Sequence, residues 1–189
     1  MTNKSSSARS ARLRLALIAT LLTSLMVLPA QATVMRMLEV EELTRISSDV
    51  FHGQVLSTEA DWDAEHKHIY TSIRVRVDET LKGSLGRSEV VTVTQLGGVK
   101  DGKRTDYAGR PVFKPGETVV LFTKRGKNND FIVVGLKQGK MTVDGNMVRR
   151  DFSGITLVRR SANGLQPLAA PPATAMTFDQ LRSRVTSTR

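Results

Sequence analysis

The stretch His68–Thr80 constrains the fold of this 189-residue chain more than any other. Ile69, Thr71, Ile73, Val75 and Val77 alternate with Tyr70, Ser72, Arg74, Arg76 and Asp78. A period of two is that of a strand whose side chains point to opposite faces. Arginines at alternate positions cannot lie unpaired in a core. One face is therefore dry and the other wet, which implies an antiparallel sheet or a small barrel.

Other segments read the same way. Strands are expected at Val50–Ser57, with Gly53 as a bulge, and at Glu89–Leu96, Glu117–Lys124, Phe131–Leu136, Lys140–Val143, Asn146–Arg150 and Ile155–Val158. Asp144-Gly145 suits a type I′ hairpin turn. All 14 glycines lie after residue 52. Short strands punctuated this densely indicate an all-β sandwich or barrel. Two short helices flank them. Met37, Val40, Leu43 and Ile46 recur every three residues beside Glu39, Glu41 and Glu42, giving an N-terminal amphipathic helix over 37–48. Thr177 with Gln180 forms a capping box for a C-terminal helix striped by Phe178, Leu181 and Val185.

The first residues read as an export signal. Lys4, Arg9, Arg12 and Arg14 precede the apolar run Leu15–Leu28, then Pro29 and the small-residue triplet Ala30-Gln31-Ala32. A spanning helix needs about 20 apolar residues, so this shorter run is expected to be cleaved after Ala32. The expected product is secreted or periplasmic, with no membrane span in the mature chain. The domains expected are a signal peptide at 1–32, a β-barrel domain with its helix at 33–160, a flexible linker at 161–176 and a C-terminal helix and tail at 177–189.

Without cysteine, the chain has no disulfide scaffold, thiolate metal site or thiol nucleophile. Residues 33–66 carry a net charge of −6 and residues 67–189 a net charge of +12. In an exported protein that basic balance points to a protein, an anionic polysaccharide or another envelope surface rather than to nucleic acid. No nucleophile elbow, phosphate-binding glycine loop or His-Glu-x-x-His pattern occurs. The reading expects no catalytic residue, no cofactor and no metal. One rival is a metal-dependent envelope enzyme using Asp61, Asp63, His66 and His68. That segment, however, places His66 and Ser72 where a calcium loop needs glycine and glutamate.

The candidate binding segment is Gly97–Gly116, which reads as a long loop without a convincing strand or helix. It interleaves Lys100, Lys103, Arg104, Arg110 and Lys114 with Tyr107 and Phe113. Basic and aromatic side chains together suit an anionic or protein surface. Trp62 reads as a loop anchor.

Ser48-Asp49-Val50-Phe51-His52-Gly53-Gln54-Val55 follows the first helix. The strand ending Val77-Asp78-Glu79-Thr80-Leu81-Lys82-Gly83 comes next, then Val90-Val91-Thr92-Val93 and Lys114-Pro115-Gly116-Glu117-Thr118-Val119-Val120-Leu121-Phe122. Over residues 38–143 this order resembles uncharacterised exported bacterial proteins and, more distantly, the netrin-type module of tissue inhibitors of metalloproteinases. The resemblance implies a small antiparallel barrel of the oligonucleotide/oligosaccharide-binding (OB) type and a protein-binding role, with metalloprotease inhibition as an alternative function. The inhibitors use an N-terminal cysteine clamped by disulfides; the expected terminus here is Thr33, and no inhibitor residue carries over.

Overall fold

The computed structural model describes residues 33–162, 164–168 and 174–188. The expected signal peptide and its cleavage point fall on residues 1–32, outside the described residues. The chain is mostly β. Its strands are β1 (Thr33–Arg36), β2 (Asp49–Trp62), β3 (Ile69–Lys82), β4 (Val90–Leu96), β5 (Gly98–Lys100), β6 (Lys103–Thr105) and β7 (Thr118–Arg125). They continue with β8 (Phe131–Val133), β9 (Lys140–Asp144), β10 (Met147–Arg150), β11 (Ile155–Ser161), β12 (Gly164–Pro167) and β13 (Ala175–Thr177). Two α-helices, α1 (Val40–Ile46) and α2 (Phe178–Ser187), and a 3₁₀ turn at Leu136–Gly139 complete it. Among the described residues no helix is long and apolar enough to cross a membrane.

The main sheet runs β13-β10-β9-β7-β2-β3-β4-β8. Strand β8 also pairs with β7, so the ladders lead from β7 through β2, β3, β4 and β8 back to β7. The β4–β8 pairing is parallel and the others in this circuit are antiparallel. One edge of β7 lies along β2, while the other is divided: Thr118–Leu121 pair with β9 and Thr123–Arg125 with β8. That division makes the circuit possible while β9, β10 and β13 extend outward.

The alternation in β3 holds as expected: Ile69, Thr71, Ile73, Val75 and Val77 are buried, and Tyr70, Ser72, Arg74 and Arg76 are exposed. Strand β2 is longer than expected and bends through three register shifts, one of them at His52/Gly53. A side chain at Gly53 would strike the carbonyl oxygen of Arg76, so the bulge there needs glycine. Strand β7 is buried on both faces. Val119 and Leu121 enter one core cluster with Phe51, Ile73, Val75, Val93 and Phe131. Val120 and Phe122 enter a second with Leu43, Val50, Met141, Leu181 and Val185. Its uninterrupted apolar run, Val-Val-Leu-Phe, reflects this double covering. Each fully buried residue of this size contributes about 1.5–3 kcal/mol.

The segments behind the sequence resemblance prove to be joints of the fold. Lys82 donates to the carbonyl oxygens of Thr44 and Ser47, each at 2.7 Å, and so caps the C-terminal end of α1. Gly83, at φ +101°, lies against the buried Asp49 carboxylate, where a β-carbon would collide. Asp49 also accepts from Ser48 Oγ at 2.7 Å and faces Arg125 at 3.5 Å. In the Lys-Pro-Gly-Glu turn, Glu117 accepts from the Lys114 backbone N–H at 2.7 Å and pairs with Lys140 at 2.9 Å.

Helix α1 is shorter than expected, and its stripe differs. Val40, Leu43 and Thr44 are buried, whereas Ile46 is 49% exposed. A strict three-residue spacing drifts around a 3.6-residue helix, so the buried face shifts to the i+4 position. The C-terminal helix carries the expected capping box, with Thr177 Oγ1 accepting from Gln180 N and Gln180 Oε1 from Thr177 N. It docks: Leu181 and Val185 are fully buried, Arg182 forks onto Glu79 and Arg184 onto Glu41.

Residues 161–176, read as a flexible linker, include β12, paired with β11, and β13, paired with β10. Residues 163 and 169–173 of that stretch lie outside the described residues. Two further strand readings are corrected. The Phe131–Leu136 strand stops at Val133, because Gly135 and Leu136 turn left-handed, at φ +69° and +56°, into the 3₁₀ turn. The hairpin between β9 and β10 pairs Asp144 with Met147, so its central residues are Gly145 and Asn146, with only Gly145 at positive φ. That is the type II′ pattern rather than I′.

Candidate functional site

The segment 97–116 is not a structureless loop. Strands β5 and β6 form a hairpin in which Lys100 faces Lys103. Its central residues Asp101 and Gly102 take φ +50° and +73°. Positive φ at both positions is the type I′ requirement, and Asp-Gly meets it.

The expected contact residues Lys100, Lys103, Arg104, Tyr107, Arg110 and Phe113 separate into three groups. Lys100, Lys103 and Arg104 lie on the hairpin. Lys100 pairs with Asp61 at 3.2 Å, and Lys103 Nζ stands 5.4 Å from the centroid of the Trp62 ring. Arg104 extends outward and reaches Asp106 at 3.8 Å. Trp62 Nε1 donates to Asp101 Oδ2 at 2.9 Å, which ties the β2–β3 tip to the hairpin. Trp62 is thus the anchor the sequence suggested. The Asp61 carboxyl is held below its ordinary value, first by the Trp62 backbone N–H and then by Lys100.

Phe113 forms the second group alone. It is 8% exposed and belongs to the core cluster inside the circuit, with Lys140 Nζ 5.1 Å from its ring centroid. It packs the segment down onto the core, and little of its ring is left open to solvent. The third group, Tyr107 and Arg110, lines a cleft. Tyr107 is 40% exposed. Arg110 Nε pairs with Asp106 at 3.3 Å, and its backbone N–H donates to the Tyr107 carbonyl at 3.1 Å. The Lys137 backbone N–H holds the Gly109 carbonyl at 2.8 Å. The turn that presents Tyr107 is therefore closed on itself and tied to the 3₁₀ turn at Gly109.

The cleft has a volume of ≈ 510 Å³ and lies between this turn and strands β3, β4 and β8. Tyr70 and Tyr107 supply aromatic rings, and Leu96, Pro111, Ile132 and Leu136 supply aliphatic surface. Thr94, Gln95, Arg110 and Asp130 are its polar members. A larger open groove continues from it past Trp62 and shares Tyr70, Thr94, Asp130 and Ile132. Sequence reasoning missed Tyr70, Gln95 and Ile132. Tyr70 had a signal, because it is the one aromatic residue on the wet face of β3. Gln95 and Ile132 had none, because they come together only through the parallel β4–β8 pairing.

Comparison with known proteins adds no relative: no family model matches this sequence and no curated protein matches it. The site is therefore read from its geometry alone.

The side chains of the rival metal cluster pair with one another or with neighbours outside it. His68 Nδ1 lies 2.9 Å from Asp63 Oδ2, Asp61 holds Lys100, and the His66 ring stacks on Trp62 with 6.0 Å between centroids. Among the described residues no three such side chains converge on one point. His52 packs against Phe178, 5.0 Å between ring centroids, and Ser153 receives the Lys137 ammonium.

Proposed function

We propose that the chain is an exported, non-enzymatic binding domain whose β2–β3–β4–β8–β7 circuit is an OB-like barrel. Its site is the cleft between the Tyr107 turn and the β3–β4–β8 face, and its occupant is a protein partner. The observation that carries this reading is the cleft itself. Two half-exposed tyrosines and six aliphatic residues surround a preformed concavity. Apolar concave sites with a few convergent polar groups are where ligands bind, and exposed aromatic residues beside arginine are typical of protein contacts. The pairing order, with one parallel ladder between the third and fifth strands, supports the OB-like barrel and the likeness in shape to the netrin-type module.

The inhibitor alternative requires a chain start free to reach a catalytic zinc. Thr33–Arg36 is instead β1, paired along β11, and the Met37 N–H continues to the Val158 carbonyl. We therefore favour the cleft over the terminus as the contact. The basic hairpin presents Lys103 and Arg104, which suit acidic residues on a partner.

The test is recovery of partners from the producing cell's envelope with wild type, Tyr107→Ala and Ile132→Ser. The reading expects a partner retained by wild type and lost by both variants, with thermal unfolding unchanged. Equal recovery by all three would reject the cleft.

A further inference from the structure

The circuit of strands closes at one narrow place, and the backbone left open beside it defines what the cleft can hold. Among the described residues Val93 and Phe131 form the only rung between β4 and β8. Strand β8 ends at Val133: the Val134 N–H turns to the Phe122 carbonyl at 2.9 Å, and Gly135 and Leu136 lead the chain away left-handed. Strand β4 runs three residues past the rung, to Leu96. The ≈ 510 Å³ cleft fills the wedge between them, with Thr94 and Leu96 on one bank and Ile132, Val133 and Leu136 on the other.

The register fixes which backbone groups face that wedge. In an antiparallel ladder, alternate residues direct both N–H and C=O at the same neighbour. The Val77 N–H donates to the Glu89 carbonyl at 2.8 Å and the Gly97 N–H to the Ile69 carbonyl at 2.7 Å. With Ile73 opposite Val93, the odd-numbered residues of β4 therefore bond to β3 and the even-numbered ones face away from it. The parallel rung at Val93 engages Thr92 and Thr94, the residues on either side of it. Leu96 lies beyond its reach. Among the described residues the strand pairings give neither its N–H nor its C=O a partner on this edge.

An occupant that dries the apolar walls strips water from these two groups as well. It must then supply an acceptor and a donor side by side, or leave both unsatisfied. An extended peptide backbone presents that pair at every second residue. We propose that the cleft binds an extended segment of the partner as an added strand on the β4 edge, one of its residues exchanging both backbone bonds with Leu96. This rests on the cleft being the partner's site and adds the mode of recognition. The outward side chain of that residue lies beside Leu96, with Tyr70 one strand further, so an apolar, β-branched residue is favoured there.

The test selects a phage-displayed library of random dodecapeptides on the wild-type protein and titrates the tightest binder, as a synthetic peptide, into ¹⁵N-labelled protein. It is expected to shift the resonances of Thr94, Leu96, Tyr107 and Ile132 and to slow hydrogen exchange of the Leu96 amide by about tenfold or more. Methylating one peptide nitrogen at a time is expected to raise the Kd about tenfold at a residue facing β4 and less than about threefold at its two neighbours, because only alternate N–H groups meet the edge. Leu96→Pro removes an N–H that the strand ladders do not use and is expected to abolish binding; unperturbed resonances outside the cleft establish that it is folded, and the methyl scan needs no variant. A peptide that shifts Tyr107 and Ile132, with Leu96 exchange unchanged and no alternation in the scan, would overturn strand addition and leave the cleft reading standing. Alternation with protection at another edge, such as β12, would overturn the assignment to β4. No binder in the cleft would overturn the inference entirely, whereas partner recovery tests the cleft separately.

Discussion

The helix-covered side of the sheet and the Tyr107 cleft are built from the same strands but finished differently. On the helix side, Leu43, Val120, Phe122, Leu181 and Val185 close a dry cluster, and polar groups around it are assigned in pairs. Gln138, itself buried, accepts from Leu38 N at 2.8 Å and donates to Arg36 O at 3.0 Å. Arg150 Nη1 donates to Leu38 O at 2.9 Å. Burial lowers the Arg150 pKa to about 10, with Glu39 opposing that fall; the side chain stays charged at neutral pH. Arg150 Nε lacks a partner, but it belongs to a guanidinium otherwise engaged on the backbone. At the cleft, by contrast, the rings of Tyr70 and Tyr107 remain half exposed. The first arrangement holds the chain together; the second is the surface on which the proposed binding role rests.

This contrast is sharpened most strongly at Leu181. Leu181→Ala is expected to cost about 2–5 kcal/mol by opening a cavity under α2, measured as a shift of the urea midpoint, while the folded fraction keeps its partner. The Lys82–Gly83 joint comes next. Gly83→Ala puts a β-carbon against Asp49 at positive φ and is expected to cost about 1–3 kcal/mol by the same measurement. Thr177→Ala removes half of the capping box and is expected to cost about 1 kcal/mol.

Acid provides a graded version of the same experiment. His52 lies half buried on Phe178, and burial lowers its pKa below 6.5, with Asp78 and Glu79 opposing and Arg182 adding to the fall. The unfolded chain therefore takes up the proton more readily than the folded one. That contribution is complete above about pH 6.5 and is lost as the pH falls below it. Glu41 and Glu79 are held below 4.5, first by hydrogen bonds from Arg184 and Arg182, so their contribution persists until the pH drops under that value. His52→Gln should flatten the stability profile between pH 7 and 5 and leave the steeper loss below 4.5 unchanged. The smallest expected effect is at the cleft: Tyr107→Ala and Ile132→Ser should change stability by only about 0.5 kcal/mol while removing partner recovery.

Local patterns were readable from the sequence and distant pairings were not. The alternation of β3 and the Thr177/Gln180 capping box depend on neighbours in the chain, and both stand in the structure. The type I′ Asp-Gly turn was expected at 144–145, where the strand register moves the turn by one residue; the turn that meets the requirement, at 101–102, lies in a segment that read as a loop. Phe113 resembled a surface aromatic because nothing nearby in sequence shows that its ring enters the core. The double burial of β7 was visible in its apolar run, yet its second cover, α2, lies more than fifty residues away. The cleft depends on β8 meeting β4 in parallel, a pairing for which periodicity carries no signal.

The most direct measurement is site-specific photo-cross-linking in the producing cell, with a benzophenone amino acid at position 107 in one protein and at the exposed Ser183 of α2 in another. The account predicts a discrete cross-linked partner from position 107 that disappears when Ile132→Ser is added, and none from position 183. A partner captured from position 183 alone, or equally from both, would contradict it.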